Sequence, residues 1–224
     1  MIHHSRLPFF EINPLAARCV AGYTWTFSTP KPLSRISLVD LPSGKAINSE
    51  PVECNMCPLA VLNDGKTVLM QGTGGDRDGF ETGDQLQLWN LTGSKVTRSG
   101  IWVPFKDDKK AFGKTSNAHP IKAIPIDGDL LLLLGDNGHL ACFDLPRLAP
   151  VWHARLSRNF AVTLTTDRKQ MFVLDELGKR PDLSFFETVA LPKLLQAPTK
   201  SSAGNAQNAL LVSKFTMRGW VDSQ

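Results

Sequence analysis

The chain has 224 residues, of which 42% are hydrophobic and 21% charged, so it can bury a substantial core and is not expected to be disordered. Its formal charge is only +4, with acidic and basic residues interspersed, which argues against the basic surface of a nucleic-acid-binding protein. The longest aliphatic run, the leucines at 130–134, is far shorter than the roughly 20 residues that cross a membrane.

Residues 1–18 contain little that predicts regular structure, because Pro8, Glu11 and Pro14 interrupt the apolar residues. The apolar segment of a secretory signal peptide is absent from this stretch. We therefore expect residues 1–18 to form an N-terminal extension, and we expect the protein to be cytoplasmic.

The first predicted unit begins at Cys19. Strand-forming residues occupy the segments near 19–27, 35–41 and 45–48, and the sequence LPSGK between the last two predicts a turn. With three predicted strands, this unit is only partial.

Three later stretches share a hairpin pattern, in which a tight turn centred on an aspartate joins two apolar strands. They are LAVLNDGKTVLMQG from Leu59, KAIPIDGDLLLLLG from Lys122 and AVTLTTDRKQMFVLD from Ala161. Asp64-Gly65 and Asp127-Gly128 have the turn chemistry that allows positive φ in a two-residue hairpin. Asp167-Arg168-Lys169 is a polar variant of the same turn without the glycine.

A second pattern follows each hairpin: a strand that ends in an aromatic residue and then a polar one. These strands lie in DQLQLWNLTGSKV from Asp84, GHLACFDLPRLAPVW from Gly138 and DLSFFETVALPKL from Asp182, where the aromatic residues are Trp89, Phe143 and Phe186. The segment SRISLVDLPSGKAI, at 34–47, repeats the pattern upstream. In QLQLWN, the leucines 86 and 88 alternate with the glutamines 85 and 87, which predicts opposite faces for the two pairs.

The spacing of the aspartate turns favours a repeat protein. Asp127 and Asp167 are 40 residues apart, close to the roughly 40–45 residues of one propeller blade. The interval from Asp64 to Asp127 is longer because it contains two predicted insertions, GTGGDRDGFETG at 72–83 and KDDKKAFGKTSNAH at 106–119. Repeats that keep their strands and vary their loops are typical of stacked β-sheets.

These units resemble the blades of the WD-repeat and quinoprotein-like β-propellers. The stretch LNDGKTVLMQG…DQLQLWNLTG, at 62–93, is similar to a WD-repeat blade with Trp89-Asn90 at the Trp-Asp position. DNGHLACFDLPRLAPVWHARL is similar to a quinoprotein blade with Trp152 on its outer strand. The resemblance implies an all-β propeller or partial propeller of about four to five four-stranded antiparallel blades.

The predicted organisation has four parts. They are an N-terminal extension at 1–18, propeller-like blades at 19–196, a flexible linker rich in small and polar residues at 197–208, and a C-terminal strand segment at 209–224. Most propellers have more blades than this chain can supply. The ring is therefore small, incomplete, or completed by another chain or oligomer.

Two segments are candidate metal sites. Cys54 and Cys57 have the CxxC spacing of half a zinc site or a redox pair, but no second pair accompanies them, so two small residues in an inter-blade loop are the favoured interpretation. The loop from Asp76 to Asp84 holds four carboxylates near glycines, which can wrap calcium, but their spacing does not fit an EF-hand. We interpret it as a solvated hairpin loop.

No set of residues predicts catalysis. Each of the histidines 119, 139 and 153 is more typical of a turn or an edge than of a general base. The five tryptophans (Trp25, Trp89, Trp102, Trp152 and Trp220) are expected to pack within and between blades, although Trp220 can also anchor a partner.

The sequence therefore predicts a non-catalytic scaffold that presents loops for protein–protein interaction, with no cofactor, metal, nucleic acid or membrane as ligand. The alternative is a fragment or subunit of a quinoprotein-like propeller enzyme, an oxidoreductase or hydrolase. Such an enzyme needs polar side chains from several blades to converge at the channel mouth.

Overall fold

The computed structural model places the chain in four antiparallel sheets that follow one another along the sequence. It describes residues 9–25, 32–74, 81–105, 119–126, 129–155, 160–165, 167–176, 184–190 and 213–216. We call the sheets blades 1 to 4 in chain order. Within the described residues, no helix has the length and apolar character needed to cross a lipid bilayer.

Blades 1 and 2 are formed by the first nine strands. Blade 1 contains β1 (Phe9–Asn13), β2 (Arg18–Trp25), β3 (Leu33–Asp40), β4 (Ala46–Asn48) and β5 (Val52–Glu53), and blade 2 contains β6 (Met56–Val61), β7 (Thr67–Gly72), β8 (Leu86–Thr92) and β9 (Lys95–Arg98). Both β4 and β5 pair with β3, so together they form the outer strand of blade 1 in two pieces.

Blades 3 and 4 repeat the same order of strands. Blade 3 contains β10 (Pro120–Pro125), β11 (Leu130–Gly135), β12 (His139–Asp144) and β13 (Ala149–Arg155), and blade 4 contains β14 (Phe160–Leu164), β15 (Gln170–Glu176), β16 (Ser184–Ala190) and β17 (Ser213–Thr216). In every blade the strands pair antiparallel, and sequence neighbours pair throughout except β4 and β5, which both pair with β3. The predicted all-β fold of four-stranded antiparallel units is confirmed.

The aspartate turns form where the sequence predicts them, but they are longer than the predicted two-residue hairpin: in the β6–β7 turn the flanking bond runs from the Leu62 N–H to the Thr67 carbonyl, and the positive φ is at Gly65. The Asp64 carboxylate accepts hydrogen bonds from the backbone N–H groups of Lys66 at 3.0 Å and Thr67 at 2.9 Å, which closes the β6–β7 turn. Asp167 accepts the N–H of Lys169 at 3.0 Å in the β14–β15 turn. The third equivalent turn, at Asp127-Gly128, lies outside the described residues.

Apolar side chains hold each blade against the next one. Three buried clusters lie between neighbouring blades: Val20, Ile36, Val68 and Trp89 between blades 1 and 2, Leu69, Leu86, Leu131 and Phe143 between blades 2 and 3, and Leu132, Trp152, Val162 and Met171 between blades 3 and 4. Strands that contribute to two clusters are buried on both faces. The leucine run in β11 is such a strand, since Leu131 faces blade 2 and Leu132 faces blade 4.

The glutamine face of β8 is buried as well as its leucine face. Leu86 and Leu88 pack toward blade 3, while Gln87 lies on the opposite face with Trp89, as the alternation predicts. The indole N–H of Trp89 donates to the Gln87 side-chain oxygen at 2.8 Å, and the Gln87 amide donates to the carbonyl of Ser99 at 2.8 Å. These bonds satisfy the amide of a side chain that is only 8% exposed.

The two ends of the chain each contribute a strand to a blade. Residues 9–13, within the predicted N-terminal extension, form β1, which pairs with β2 from Phe9 opposite Gly22 to Asn13 opposite Arg18. Residues 10–13 alternate apolar and polar side chains as a strand does, but Pro8 and Pro14 on either side argue against regular structure here. Strand β17, within the predicted C-terminal segment, pairs with β16 and belongs to blade 4. The predicted linker at 197–208 lies outside the described residues.

Candidate functional site

The connections that the sequence analysis singled out meet at one end of the blades. In an antiparallel sheet successive connections alternate between the two ends. The connection from β7 to β8, at 73–85, therefore lies at the same end as the link from β9 to β10, at 99–119. We call this end the loop face, and we call the opposite end, where the aspartate turns lie, the turn face. Both predicted insertions belong to the loop face.

The described parts of the 73–85 connection are fixed to blade 2 and to the link before it. The N–H of Asn55 donates to the Glu81 carboxylate at 2.9 Å, and the N–H of Thr73 donates to the carbonyl of Asn55 at 2.8 Å. The N–H of Gly74 donates to the carbonyl of Glu81 at 2.8 Å. The base of the loop is thus anchored, while the predicted carboxylates Asp76 and Asp78 lie outside the described residues.

One glutamine joins the bases of the two insertions. The Gln71 amide, on β7, donates to the carbonyl of Gly83 at 2.7 Å and to that of Pro120 at 2.5 Å. Gly83 lies so close to His119 that a Cβ atom there would be 2.5 Å from the imidazole Nδ1. The two insertions therefore end side by side over blades 2 and 3.

Aromatic side chains seat the start of the second insertion on blade 3. The Trp102 ring meets Phe143 edge-on, with centroids 4.9 Å apart and planes at 75°. Phe105, 3% exposed, lies 6.2 Å from Phe143 and 5.4 Å from His139 between ring centroids. Gly135 leaves room for it, because a Cβ atom there would be 2.8 Å from the Phe105 ring. Residues 102–105 are held by packing, and 106–118 continue from them outside the described residues.

The described members of the carboxylate loop help to hold it in place. Glu81 accepts the Asn55 N–H, and Asp84 accepts a hydrogen bond from the Thr82 hydroxyl. Within the described residues, no group of three or more His, Cys, Asp or Glu side chains is placed to hold a metal ion. That the loop from Asp76 to Asp84 is a solvated hairpin loop and not a calcium site stays a prediction, since its central carboxylates lie outside the described residues.

Cys54 and Cys57 lie at the junction between blades 1 and 2, both buried. Cys54 belongs to the apolar cluster between these blades, and Cys57 is the second residue of β6. Burial raises the pKa of the Cys54 thiol to about 11, with the hydrogen bond to Ser34 opposing it. A thiol with this pKa is protonated at neutral pH and is a poor nucleophile and a poor metal ligand.

The histidines and tryptophans are distributed between loop and core. His119 is exposed at the loop face, whereas His139 is buried as the first residue of β12. Trp89 and Trp152 are buried between blades, as predicted. The side chain of Trp25 and all of Trp220 lie outside the described residues.

A polar cluster that the sequence analysis missed joins all four blades at the turn face. The guanidinium of Arg168, from the β14–β15 turn, donates to the side-chain oxygens of Asn13 at 3.0 Å and Asn63 at 3.2 Å, and to the carbonyl of Pro125. These partners belong to blades 1, 2 and 3. The Asn13 amide, 1% exposed, donates to the carbonyl of Val61 at 2.8 Å and to Asn63 at 3.0 Å. We call Asn13, Asn63 and Arg168 the polar hub.

The hub has a recognisable trace in the sequence. Arg168 occupies the third position of a four-residue turn, where the equivalent turn of blade 2 has Gly65, and both have positive φ, 54° and 69°. Ala17 and Leu148 also have positive φ, so the conformation alone is no sign of the hub; what distinguishes Arg168 is its long charged side chain, which reaches the other blades. Burial lowers the pKa of Arg168, but an arginine keeps its charge at any physiological pH.

No family model matches the sequence, and no curated protein matches it either. Solved structures do match. The β-propeller domain of the trilobed protease from Pyrococcus furiosus aligns over 97% of this chain and 57% of its own length, with a TM-score of 0.51 and 11% sequence identity. The chain has a β-propeller fold.

Two further propellers align with lower TM-scores. The β-propeller domain of Cps50 (Swd1) from Myceliophteria thermophila covers 91% of this chain and 68% of its own length, with a TM-score of 0.47 and 15% identity. BamB from Moraxella catarrhalis covers 79% of this chain and 44% of its own length, with a TM-score of 0.43 and 14% identity. This chain spans little more than half the length of the Pyrococcus furiosus domain.

Proposed function

We propose that this chain is a non-catalytic propeller scaffold whose loop face binds a protein partner. The observation that carries the proposal is the joint base of the two insertions, where Gln71 donates to both Gly83 and Pro120. Binding residues are commonly found on loops that a rigid scaffold positions. The loop face has both the scaffold and the loops.

The chemistry of the loop face supports a protein as the ligand. Trp102 is only partly buried and packs on Phe143, so it offers aromatic surface beside the polar loop base. Partly exposed aromatic residues within a polar rim are typical of protein–protein interfaces. The described carboxylates there already accept hydrogen bonds, Glu81 from the N–H of Asn55 in the link before β6 and Asp84 from the Thr82 hydroxyl.

The test replaces residues 75–80 with a Gly-Ser stretch of equal length and keeps the anchoring residues Glu81 and Thr82. We expect the wild-type chain to recover a stoichiometric partner from a native extract and the replaced variant to lose it at least tenfold. Circular dichroism checks that the variant is folded.

The matched control changes the turn face instead. Arg147→Ala alters an exposed turn side chain at the opposite end of blade 3, so partner recovery is expected to stay at the wild-type level. Equal recovery by the loop variant, or a clean monomer with no partner from the wild-type chain, contradicts the proposal.

The enzyme alternative and the cytoplasmic location stay predictions. An absorbance spectrum and metal analysis of the purified protein test the first, because a bound quinone or stoichiometric calcium would indicate a propeller enzyme. Fractionation of the source cells tests the second.

A further inference from the structure

The side of blade 1 that faces away from blade 2 carries exposed apolar side chains. Phe10 is 57% exposed, Ile12 53% and Tyr23 40%. Phe10 pairs with Ala21, and Ile12 pairs with Cys19. Directly paired residues share one face of a sheet. Val20, the residue after Cys19, faces blade 2, so Cys19 and its partner Ile12 face away from blade 2. We call the side that includes Phe10, Ile12 and Tyr23 the outer face of blade 1.

In the other blades, the equivalent face is buried against the preceding blade. The second residue of the second strand is Val68 in blade 2, Leu131 in blade 3 and Met171 in blade 4, and each is 0% exposed in a cluster shared with the preceding blade. The same position in blade 1 is Cys19, on the outer face. The outer face is therefore the face that this repeat uses for packing on another blade.

Exposed apolar residues are concentrated in this blade. Seven of the nine exposed large hydrophobic side chains among the described residues lie in blade 1 or its turns, and three of them, Phe10, Ile12 and Tyr23, lie on its outer face. Scattered exposed apolar residues are ordinary on a protein surface, whereas a concentration on one sheet marks an interaction surface.

The other end of the arc of blades offers a counterpart. Met171 and Val173, on β15, pack toward blade 3. Phe172, between them, lies on the opposite face with its paired residue Thr163. Phe172 is partly exposed and Thr163 exposed. The last blade thus presents an aromatic side chain on the face where a fifth blade would pack.

We propose that the outer face of blade 1 packs against blade 4 of a second copy of this chain. The contact continues the blade-on-blade packing that already joins blades 1 to 4 through three apolar clusters. A two-fold axis would cover both end faces of both copies at once and close a ring of eight blades. One chain spans only 57% of the Pyrococcus furiosus propeller domain, which supports completion by a further set of blades. The proposal is independent of the loop-face partner.

The mass of the full chain in solution is the first test. Size-exclusion chromatography with light scattering, at roughly 10–100 μM, is expected to give twice the 24.6 kDa of one chain. Ile12→Asp is expected to weaken the dimer at least 100-fold, because a carboxylate on the outer face would be buried without a partner. Ile121→Asp, at a residue that is 58% exposed on blade 3, is the matched control and should leave the dimer intact.

A chemical cross-link tests which surfaces meet. A chain carrying Ile12→Cys, mixed with a chain carrying Phe172→Cys, is expected to form a bismaleimide-linked dimer, and the four native thiols are buried. A wild-type monomer at 100 μM overturns the proposal. A single chain that carries both Ile12→Cys and Phe172→Cys is prepared as well, and a cross-link that forms only within that chain also overturns the proposal, since the ring would then close on itself. Equal dissociation of the Ile12→Asp and Ile121→Asp variants also overturns it.

Discussion

Arg168 adopts a backbone conformation that a glycine adopts more readily, with φ of 54°. Left-handed backbone conformations cost non-glycine residues roughly 1–2 kcal/mol. The guanidinium offsets this cost by donating to oxygens on three other blades. Hydrogen bonds to charged groups contribute about 1.5–3 kcal/mol each when buried, and less at a half-exposed site such as this one. The turn of blade 4 is therefore locally strained, and the hydrogen bonds that it makes to the other blades stabilise the arc as a whole.

The burial of Cys54 favours the interpretation of the CxxC motif as two small packed residues over that of a zinc or redox pair. Its pKa of about 11 leaves roughly 100-fold less thiolate at about pH 8 than a solvent-exposed cysteine has. We expect alkylation of Cys54 by iodoacetamide to be slower than that of an unfolded chain by at least that factor.

Mass spectrometry of the Cys54 peptide, with and without guanidinium, measures this difference. The same protein in guanidinium is the control, because unfolding removes the burial that raises the pKa. Rapid labelling of the native chain, or a disulfide between Cys54 and Cys57, would instead support a redox pair.

At the scale of strands, glycines set how closely two blades approach. Gly22, on β2, faces the ring of Pro58 on β6, and an added Cβ atom would overlap that ring. We expect Gly22→Ala to reduce the free energy of unfolding by about 1–3 kcal/mol, because overpacking forces the two strands apart. Urea denaturation measures it.

Gly100→Ala is the matched control for this variant. No atom lies within 4 Å of a Cβ placed on Gly100, so the substitution is expected to change stability by less than about 0.5 kcal/mol. If both variants unfold at the wild-type urea concentration, blades 1 and 2 do not approach as closely as the structure shows.

The hairpins could be predicted from the sequence because their signals are local. Asp64 and Asp167 form turns with neighbouring residues, and the strands on either side carry enough apolar residues to be recognised. Strand β1 was missed because it is only five residues long between Pro8 and Pro14, and its place depends on pairing with β2. The polar hub could not be predicted either, because it depends on a contact between Asn13 and Arg168, which are 155 residues apart.

The loop face was predictable in part. The insertions at 72–83 and 106–119 are visible as extra length between recognised strands. Their common base is not visible, because the bond from Gln71 to Pro120 spans 49 residues and depends on the packing of blade 2 against blade 3. Local sequence patterns identify loops, whereas the packing of blades determines which loops meet.

The whole molecule is an arc of blades that curve around a common axis, and the polar hub depends most directly on that curvature. In a flat succession of sheets, blade 4 could not reach blade 1. In the arc, the Arg168 guanidinium lies 3.0 Å from the Asn13 side-chain oxygen. The loop face depends on the same curvature, because the curvature holds blades 2 and 3 side by side.

A double-mutant cycle between Arg168 and Asn13 tests the curvature most directly. The free energy of unfolding in urea is measured for Arg168→Ala, Asn13→Ala, the double variant and the wild type, with Arg168→Ala and Lys95→Ala as an additive control pair. The arc predicts a coupling of about 1 kcal/mol or more between Arg168 and Asn13, because contacting residues are not additive. Strict additivity of the two substitutions would contradict the arc, since it would show that blade 4 does not reach blade 1.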